Sequence, residues 1–268
     1  MNIFTTILIQ PLANGLILFY RLLGNNMGLA IIGFSLLLVI LLNPLTKPYM
    51  NSMKKMKDLA PQLEKLKSKY KNDKMKLAQA QADFYKQKGV NPSAGCLPYL
   101  LQIVVLIAFF NVFTLTLTNH EKPAEKFNHV LYAPLKFKES ETLNTKFLYL
   151  DVSKPDVIKL PFITFALPGP LLILAALAQL ISVKLTSPQV NLQQKIAEKT
   201  KESTDDFQVA MQKSMTYTFP LITIFIGLRF ASGLALYWLI FSGAQAYKQL
   251  VSSDVKIGTL FKDLKIFR

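Results

Sequence analysis

The chain has 268 residues, of which 51% are apolar, and it carries a formal charge of +15 at pH 7. Its mean hydropathy of +0.30 and its long apolar blocks exclude an ordinary soluble domain and indicate an integral helical membrane protein. The single cysteine, Cys96, excludes an intramolecular disulfide framework and a cysteine metal cluster.

The excess of lysine lies in particular loops between the apolar blocks. This distribution is typical of the positive-inside bias of membrane proteins, so the charge requires no nucleic-acid partner. Direct contact between the basic loops and ribosomal RNA stays open as an additional interpretation. His120 and His129 share one polar loop, where we expect ordinary loop residues and no metal site.

The first apolar stretch is predicted to lie on the membrane surface. Pro11 fits the first turn of a helix, and the residues after it form one broad apolar face that also carries Arg21. We therefore assign residues 1–25 to an N-terminal interfacial helix, with a sixth membrane span as the competing interpretation. Residues 26–46 form the first clear span.

Residues 47–94 predict a cytoplasmic helical hairpin. Within them, residues 47–88 hold twelve lysines against four acids, which favours the cytoplasmic side. Two apolar stripes predict antiparallel helices packed stripe to stripe, and Pro61 is expected to kink or restart the first helix. The stripes consist of Met53, Met56, Ala60, Leu63, Leu66 and Tyr70, and of Met75, Ala78, Ala82 and Tyr85.

The rest of the chain alternates between apolar and polar segments. Residues 95–118 predict span 2, and residues 119–158 predict an external loop in which six lysines balance six acids. Residues 159–183 predict span 3, with a kink expected at Pro168-Gly169-Pro170. The later segments are a cytoplasmic loop at 184–213, spans 4 and 5 at 214–248, and a basic cytoplasmic tail at 249–268.

The predicted spans contain no acid, histidine or lysine in their interiors. Ion-coupled transporters usually need such groups at mid-membrane, which argues against that class. No Ser/His/Asp set, HExxH or phosphate-binding loop is visible, so we predict no enzyme, no catalytic residue and no cofactor. Ser35, Val39 and Asn43 recur at i, i+4 and i+8 and therefore share one helix face. Singly, the scattered neutral polar groups could bind neighbouring helices; together they could line a cavity that admits water.

Several segments resemble the YidC-type membrane protein insertases, in chain order and over nearly the whole sequence. They are Gln10-Pro-Leu12, Asn26-Met-Gly-Leu-Ala-Ile-Ile32, Asn43-Pro-Leu-Thr-Lys47, Ser52-Met-Lys-Lys-Met-Lys57 with Pro61, Tyr85-Lys86, Val90-Asn-Pro-Ser-Ala-Gly-Cys96 with Pro98, Leu101-Gln102, Phe147-Leu-Tyr-Leu-Asp-Val-Ser-Lys-Pro-Asp156 and Ser232-Gly-Leu-Ala-Leu-Tyr-Trp238.

The resemblance implies an all-α integral membrane protein with a five-span helical core, a cytoplasmic antiparallel helical hairpin and an N-terminal interfacial helix. It also implies a polar groove, open to the cytoplasm and to lipid, through which newly made membrane proteins enter the bilayer. The implied groove residues are Ser35, Val39, Asn43, Gln102, Gln179 and Trp238. On the hairpin, the candidate contacts for substrates or partners are Met53, Met56, Leu63 and Tyr85, although the hairpin could instead only brace the helices.

The implied partners are nascent membrane proteins and the lipid bilayer of the cell's inner membrane. The ribosome and the Sec translocon are further candidates, and a monomer is the expected working form. Two functions from other classes stay open. A small-solute channel or transporter would conduct solutes without promoting insertion, and a non-catalytic translocon scaffold would tolerate apolar replacements in the groove.

One position departs from the family pattern. Many relatives carry an arginine on the first span where this chain has Val39, and that arginine attracts acidic stretches of the substrate. Arg229 lies at the opposite end of the spans and offers no replacement. We therefore expect this protein to depend less on negative charge in its substrates than its arginine-bearing relatives do.

Overall fold

The computed structural model describes residues 3–70, 73–90, 97–117, 122–161, 165–186 and 217–252, most of them in helices. The prediction of a mostly helical protein is thereby confirmed. The fold divides into two compact units. Unit 1 comprises Met1–Val39, Ala108–Ser187 and Thr216–Arg268, and unit 2 comprises Ile40–Ile107 and Pro188–Met215.

The described part of the chain includes a π-helical stretch at Thr5–Ile9 and a 3-10 turn at Ala133–Leu135. The described α-helices are α1 (Gln10–Leu22), α2 (Met27–Lys69), α3 (Lys74–Gln87), α4 (Leu97–Leu117), α5 (Pro123–Lys126), α6 (Pro170–Thr186), α7 (Tyr217–Gly227) and α8 (Ser232–Ser252).

Two small antiparallel β-hairpins lie between α5 and α6. In the first, β1 (Lys146–Phe147) pairs with β2 (Leu150–Asp151), so that Lys146 faces Asp151. In the second, β3 (Val157–Ile158) pairs with β4 (Leu167–Pro168).

Aromatic rings form the centre of unit 1. Phe109 of α4 stacks on Tyr237 of α8 with 4.4 Å between ring centroids, and Phe34 of α2 lies 6.0 Å from Phe109. All three side chains are buried. Helix α6 packs along α8. The rings therefore hold α2, α4 and α8 together, and α6 adds a fourth helix to the bundle.

Residues 144–156 form a short stretch that binds the first turns of three helices, and we call it the cap segment. At the start of α2, the Met27 N–H donates to the Asn144 carbonyl oxygen at 3.0 Å. At the start of α8, the Gly233 N–H donates to the Val152 carbonyl oxygen at 3.0 Å. Because the first N–H groups of a helix lack partners within it, these bonds stabilise both helix starts.

The third of these helices, α6, is capped by side chains of the cap segment. The Leu171 N–H donates to the Tyr149 hydroxyl oxygen, and the Leu172 N–H donates to the Asp156 carboxylate, both at 3.0 Å. Asp156 is buried, so the helix N-terminus offsets the cost of its charge. The backbone of Gly169 approaches the same carboxylate so closely that a side chain there would collide with it.

The kink predicted at Pro168–Pro170 is wrong, because α6 begins at Pro170. Pro168 belongs to strand β4, and Pro170 occupies the first helical position, where a missing N–H costs no hydrogen bond. The third apolar helix therefore covers Pro170–Thr186 in place of the predicted residues 159–183.

Helix α1 binds the segment that precedes the cap segment. The Asn14 amide nitrogen donates to the Val130 carbonyl oxygen at 2.9 Å, and the Asn14 amide oxygen accepts from the Tyr132 N–H at 2.7 Å. The side chain is buried, so both bonds are shielded from water. Asn14 thus fastens the predicted external loop to the N-terminal helix.

A second fastening joins Arg21 to Glu141 by two parallel hydrogen bonds of 3.0 Å each. The Arg21 guanidinium also lies 4.7 Å from the centroid of the Phe137 ring. The hydrogen bond from Arg21, with a further one from the Lys138 N–H, lowers the pKa of Glu141. Arg21, the one charged residue of α1, is therefore paired with the loop.

Glu141→Gln is expected to abolish an acid-dependent loosening of residues 127–146. Because the folded state lowers the pKa of Glu141, the pair stabilises the fold above the ordinary carboxyl pKa and is lost as the pH falls through the lower folded value. The effect should be about 1 kcal/mol or less, since both side chains are partly exposed to water. Amide hydrogen exchange of residues 127–146 measures the loosening. The series runs from about pH 6 to pH 3, because ordinary carboxyl groups take up their protons within that range. The exposed neighbour Glu139→Gln should keep the acid response, and an identical response in all three proteins would contradict the assignment.

Unit 2 contains the part of α2 that begins at Ile40 and helix α3. Asp73 caps α3, because its carboxylate accepts the Lys76 N–H at 3.0 Å, and this bond lowers its pKa. Gly89, with φ of 61°, ends the hairpin, and the next N–H donates back to the Tyr85 carbonyl oxygen at 3.0 Å. The restart predicted at Pro61 is wrong, because α2 is one uninterrupted helix from Met27 to Lys69.

The apolar stripe predicted on the second hairpin helix is wrong at three of its four residues, and the fourth, Tyr85, is half-buried. Met75, Ala78 and Ala82 are exposed, with Met75 at 85%. Leu77 is buried, and Phe84, seven residues later, is half-buried. The more buried face of α3 therefore carries Leu77 and Phe84, seven residues apart, in place of Met75, Ala78 and Ala82.

One segment of the described helices, Met27–Pro44, is long and apolar enough to cross a membrane by length and composition. Three shorter apolar segments, with 10 to 17 residues each, are Ile103–Leu115, Pro170–Leu185 and Tyr217–Gly227. Five spans therefore stay a prediction.

Candidate functional site

A polar pair joins α6 to α7 within unit 1. Thr223 Oγ1 donates to Gln179 Oε1 at 2.5 Å and has the Phe219 carbonyl oxygen at 3.1 Å as a second acceptor. Thr223 is buried, whereas Gln179 is half-buried. In the described part of the chain, the amide nitrogen of Gln179 donates to no protein group. Its two N–H donors are therefore available to water or to another polypeptide.

Two further hydroxyl groups, Ser182 on α6 and Ser242 on α8, are buried in the same unit. The sequence prediction did not include Thr223 or Ser242. Each is a single hydroxyl in an otherwise apolar helical stretch, which was the available signal. That signal alone does not separate a functional side chain from one that only binds its own helix, as Thr and Ser often do.

Ser35 and Val39 lie one turn apart on α2. Ser35 is fully buried, and its hydroxyl donates to the Ile31 carbonyl oxygen at 2.5 Å, an arrangement that helix packing by itself explains. Val39 is half-buried. Their roles in a groove stay predictions, and no described hydrogen bond joins Ser35 to the pair of Gln179 and Thr223.

Trp238 lies on α8 next to the stacked ring of Tyr237, and it is buried. Its place among the aromatic residues of unit 1 fits a packing role, and its role in a groove stays a prediction.

The remaining predicted groove residues belong to unit 2. Asn43 lies on α2, is exposed, and makes an interaction with the rest of the chain. Gln102 lies on α4, and its side chain is outside the described part of the structure.

The four hairpin residues predicted to contact substrates or partners also belong to unit 2. Leu63 and Tyr85 are half-buried, and the Tyr85 ring meets Phe84 edge to face with 6.1 Å between centroids. The side chains of Met53 and Met56 lie outside the described part of the structure.

Two charged side chains lie at the ends of described apolar helices. Lys184, near the end of α6, lies 5.9 Å from the centroid of the Tyr217 ring at the start of α7. Arg229, just after α7, lies 5.4 Å from the centroid of the Phe225 ring. Among the described residues, no group of three or more His, Cys, Asp and Glu side chains could hold a metal ion. The Gln179–Thr223 pair itself contains only uncharged groups, so it is a neutral hydrogen-bonding site.

A family model decides how this architecture is classified. The model described as "60Kd inner membrane protein" matches residues 18–257 of this chain. The chain belongs to that family. It is accordingly a membrane protein, as its composition predicted.

Curated relatives agree with the family assignment. A protein of Fusobacterium nucleatum named "Membrane protein insertase YidC" is 34% identical over 215 residues, which cover 80% of each chain. Proteins of the same name from Pelobacter propionicus and Dinoroseobacter shibae are 32% and 34% identical over 88% and 82% of this chain. The alignments cover only 36% and 32% of those two relatives, so this chain spans about a third of their length.

Proposed function

We propose that this protein is a membrane protein insertase, which moves newly made membrane proteins from the cytoplasmic side into the bilayer. The family match over residues 18–257 and the insertase name of the relatives are the observations that carry the proposal. The neutral polar pair within apolar helices supports it from the structure.

The difficult step in insertion is the passage of a short polar segment through hydrocarbon. Each peptide group without a hydrogen-bond partner costs several kcal/mol there. The half-buried Gln179 amide offers donors to such a segment, and Thr223 holds the amide oxygen in place. A neutral polar lining of this kind shortens the apolar path and lowers the barrier.

The driving force comes from the substrate. A central Leu, Ile, Phe or Val contributes about −0.3 to −0.6 kcal/mol when a helix enters the bilayer, so a mostly apolar helix gains several kcal/mol. Insertion of such a helix needs no nucleotide once the barrier is lowered. The protein then acts on the rate of insertion and leaves the equilibrium to the substrate sequence.

The topology that goes with this function has five spans and a cytoplasmic hairpin. The twelve lysines of residues 47–88 support the cytoplasmic placement, as does Lys184 near the end of α6. The amphipathic helix α1 lies on the outer surface, where it binds the external loop through Asn14 and Arg21. Nascent membrane proteins are the substrates. We also propose the ribosome and the Sec translocon as partners and a monomer as the working form.

Reconstitution separates this function from a channel and from a scaffold. The purified protein in liposomes without other proteins should insert a single-span substrate faster than empty liposomes do, and it should not release an entrapped dye. Insertion is measured as protection of the translocated end from protease. Dye release without insertion would indicate a channel. If neither insertion nor dye release occurred, the scaffold function would remain.

The same liposomes test the site. Gln179→Leu combined with Thr223→Val removes the polar pair without leaving one partner unsatisfied, so the fold should be kept. The initial rate of insertion should fall about tenfold, equivalent to about 1.4 kcal/mol in the barrier. Gln245→Leu, at a half-buried position on α8, makes the same amide-to-leucine change and should keep the wild-type rate. A wild-type rate in the double variant would reject the Gln179–Thr223 pair as the lining.

A further inference from the structure

The turn between β1 and β2 combines two unfavourable features in one residue. Leu148 has φ of 53°, in the left-handed region that residues with a β-carbon rarely adopt. Its apolar side chain is also 84% exposed. No group within the described chain covers the side chain, so an apolar environment outside the chain would offset its exposure.

Other exposed apolar side chains lie on segments that, like the turn at Leu148, lead to the start of α6. The Tyr149 hydroxyl binds the start of α6, which places this turn at that helix end. Strand β3 carries the exposed Ile158, and Phe165, five residues before α6, is 65% exposed. Leu148, Ile158 and Phe165 thus lie on segments that lead to the N-terminal end of α6, and we call these three exposed apolar side chains the tip surface.

The tip surface lies beside helix faces that are themselves apolar and exposed. Leu174, just over a turn into α6, is exposed, and so is Phe225 on α7. The end of α7 lies against the start of α6, since a side chain added at Gly227 would meet Leu172. In a membrane protein, exposed apolar side chains such as these are expected to contact lipid.

Unpaired positive charge surrounds the tip surface. Lys146 and Lys159 are exposed and belong to no described ion pair. Asp151, opposite Lys146 in the β1–β2 pair, accepts from the Ser153 hydroxyl at 2.6 Å and forms its ion pair with Lys154 at 3.6 Å, and Asp156 is buried as the cap of α6. Apolar side chains framed by lysines match the boundary between acyl chains and anionic headgroups.

From this geometry we propose that the tip surface is a second membrane contact, in which Leu148 enters the outer leaflet and Lys146 and Lys159 bind anionic lipid phosphates. The contact anchors the cap segment, and through it the N-terminal ends of α2, α6 and α8, at a fixed depth in the bilayer. It rests on the proposed topology, which places the cap segment on the outer side, and it does not depend on the insertion activity.

Spin labelling measures the depth directly. The single cysteine is first changed by Cys96→Ser, and a nitroxide is attached at Leu148→Cys or, as a polar external control, at Glu139→Cys. In phosphatidylcholine vesicles with phosphatidylglycerol, the label at 148 should collide mainly with oxygen, at about 5 to 10 Å below the headgroups. The label at 139 should collide mainly with a water-soluble nickel chelate.

Two results would overturn the proposal. Equal nickel accessibility at positions 148 and 139 would mean that the tip surface faces water. A label at 148 shielded from both oxygen and nickel would mean that a protein, such as a second copy of this chain, covers it. The headgroup contact has its own test, because Lys146→Glu with Lys159→Glu should make the label at 148 shallower in vesicles that contain phosphatidylglycerol. An unchanged depth would reject the lysine–phosphate contact.

Discussion

Gly169→Ala is expected to lower the free energy of unfolding by about 3 kcal/mol. The added carbon would collide with the Asp156 carboxylate, which is buried and accepts the Leu172 N–H. A carboxylate displaced from the start of α6 would leave both a buried charge and a helix N–H without their partner. Denaturant unfolding in detergent, followed by circular dichroism, measures the loss.

A second glycine provides the matched control. Gly243 lies inside α8, and a side chain added there meets nothing within 4 Å. Gly243→Ala should therefore be neutral or stabilising by up to about 1 kcal/mol, because alanine favours the helix. Similar losses in both variants would show that the close approach of Gly169 to Asp156 does not support the fold.

Removing the acids of a substrate is expected to affect this protein little. With the wild-type chain, changing the acidic residues of a translocated segment to amides should alter the insertion rate by less than about twofold, since neutral hydrogen-bond donors serve both forms. With Val39→Arg, the same change should lower the rate about tenfold, because an attraction worth about 1.4 kcal/mol is lost with the acids.

Position 39 can accept an arginine. Val39 is half-buried on α2, one turn beyond the buried Ser35, so the end of a longer side chain there can extend out of the packed helices. It is also the position at which the resemblance implies an arginine in many relatives. This chain lacks that arginine, and the uncharged pair of Gln179 and Thr223 is the polar group that it presents to a substrate instead.

The helical elements were predictable because their signals are local. Apolar blocks of sufficient length, breaker residues and a lysine-rich segment indicate helices and their ends. The predictions failed where distant residues decide the outcome. Pro168–Pro170 reads locally as a kink, but Asp156 and Tyr149 cap the helix that begins at Pro170. The partner of a cap comes from elsewhere in the fold, and a linear pattern does not reveal it.

The site was less predictable than the fold, for a related reason. Gln179 is conspicuous in the sequence as an amide in an apolar helix. Thr223 is recognised as part of the site only in the structure, where α7 brings its hydroxyl within 2.5 Å of the Gln179 amide oxygen. In α3, heptad spacing favoured Met75 and Ala78, but Leu77 is the residue that is buried, and Met75 is exposed. The motif from Phe147 to Asp156 carried the resemblance, and its physical role as a cap became visible only with the hydrogen bonds.

The most direct test of the account compares two substrates in two proteins. Liposomes containing either the wild-type chain or Val39→Arg receive a single-span substrate whose translocated end carries acids or the corresponding amides, and protease protection gives the initial rates. The account predicts similar rates for both substrates with the wild-type chain and a preference for the acidic substrate with Val39→Arg. A strong preference for the acidic substrate with the wild-type chain would contradict a neutral lining as the means of insertion.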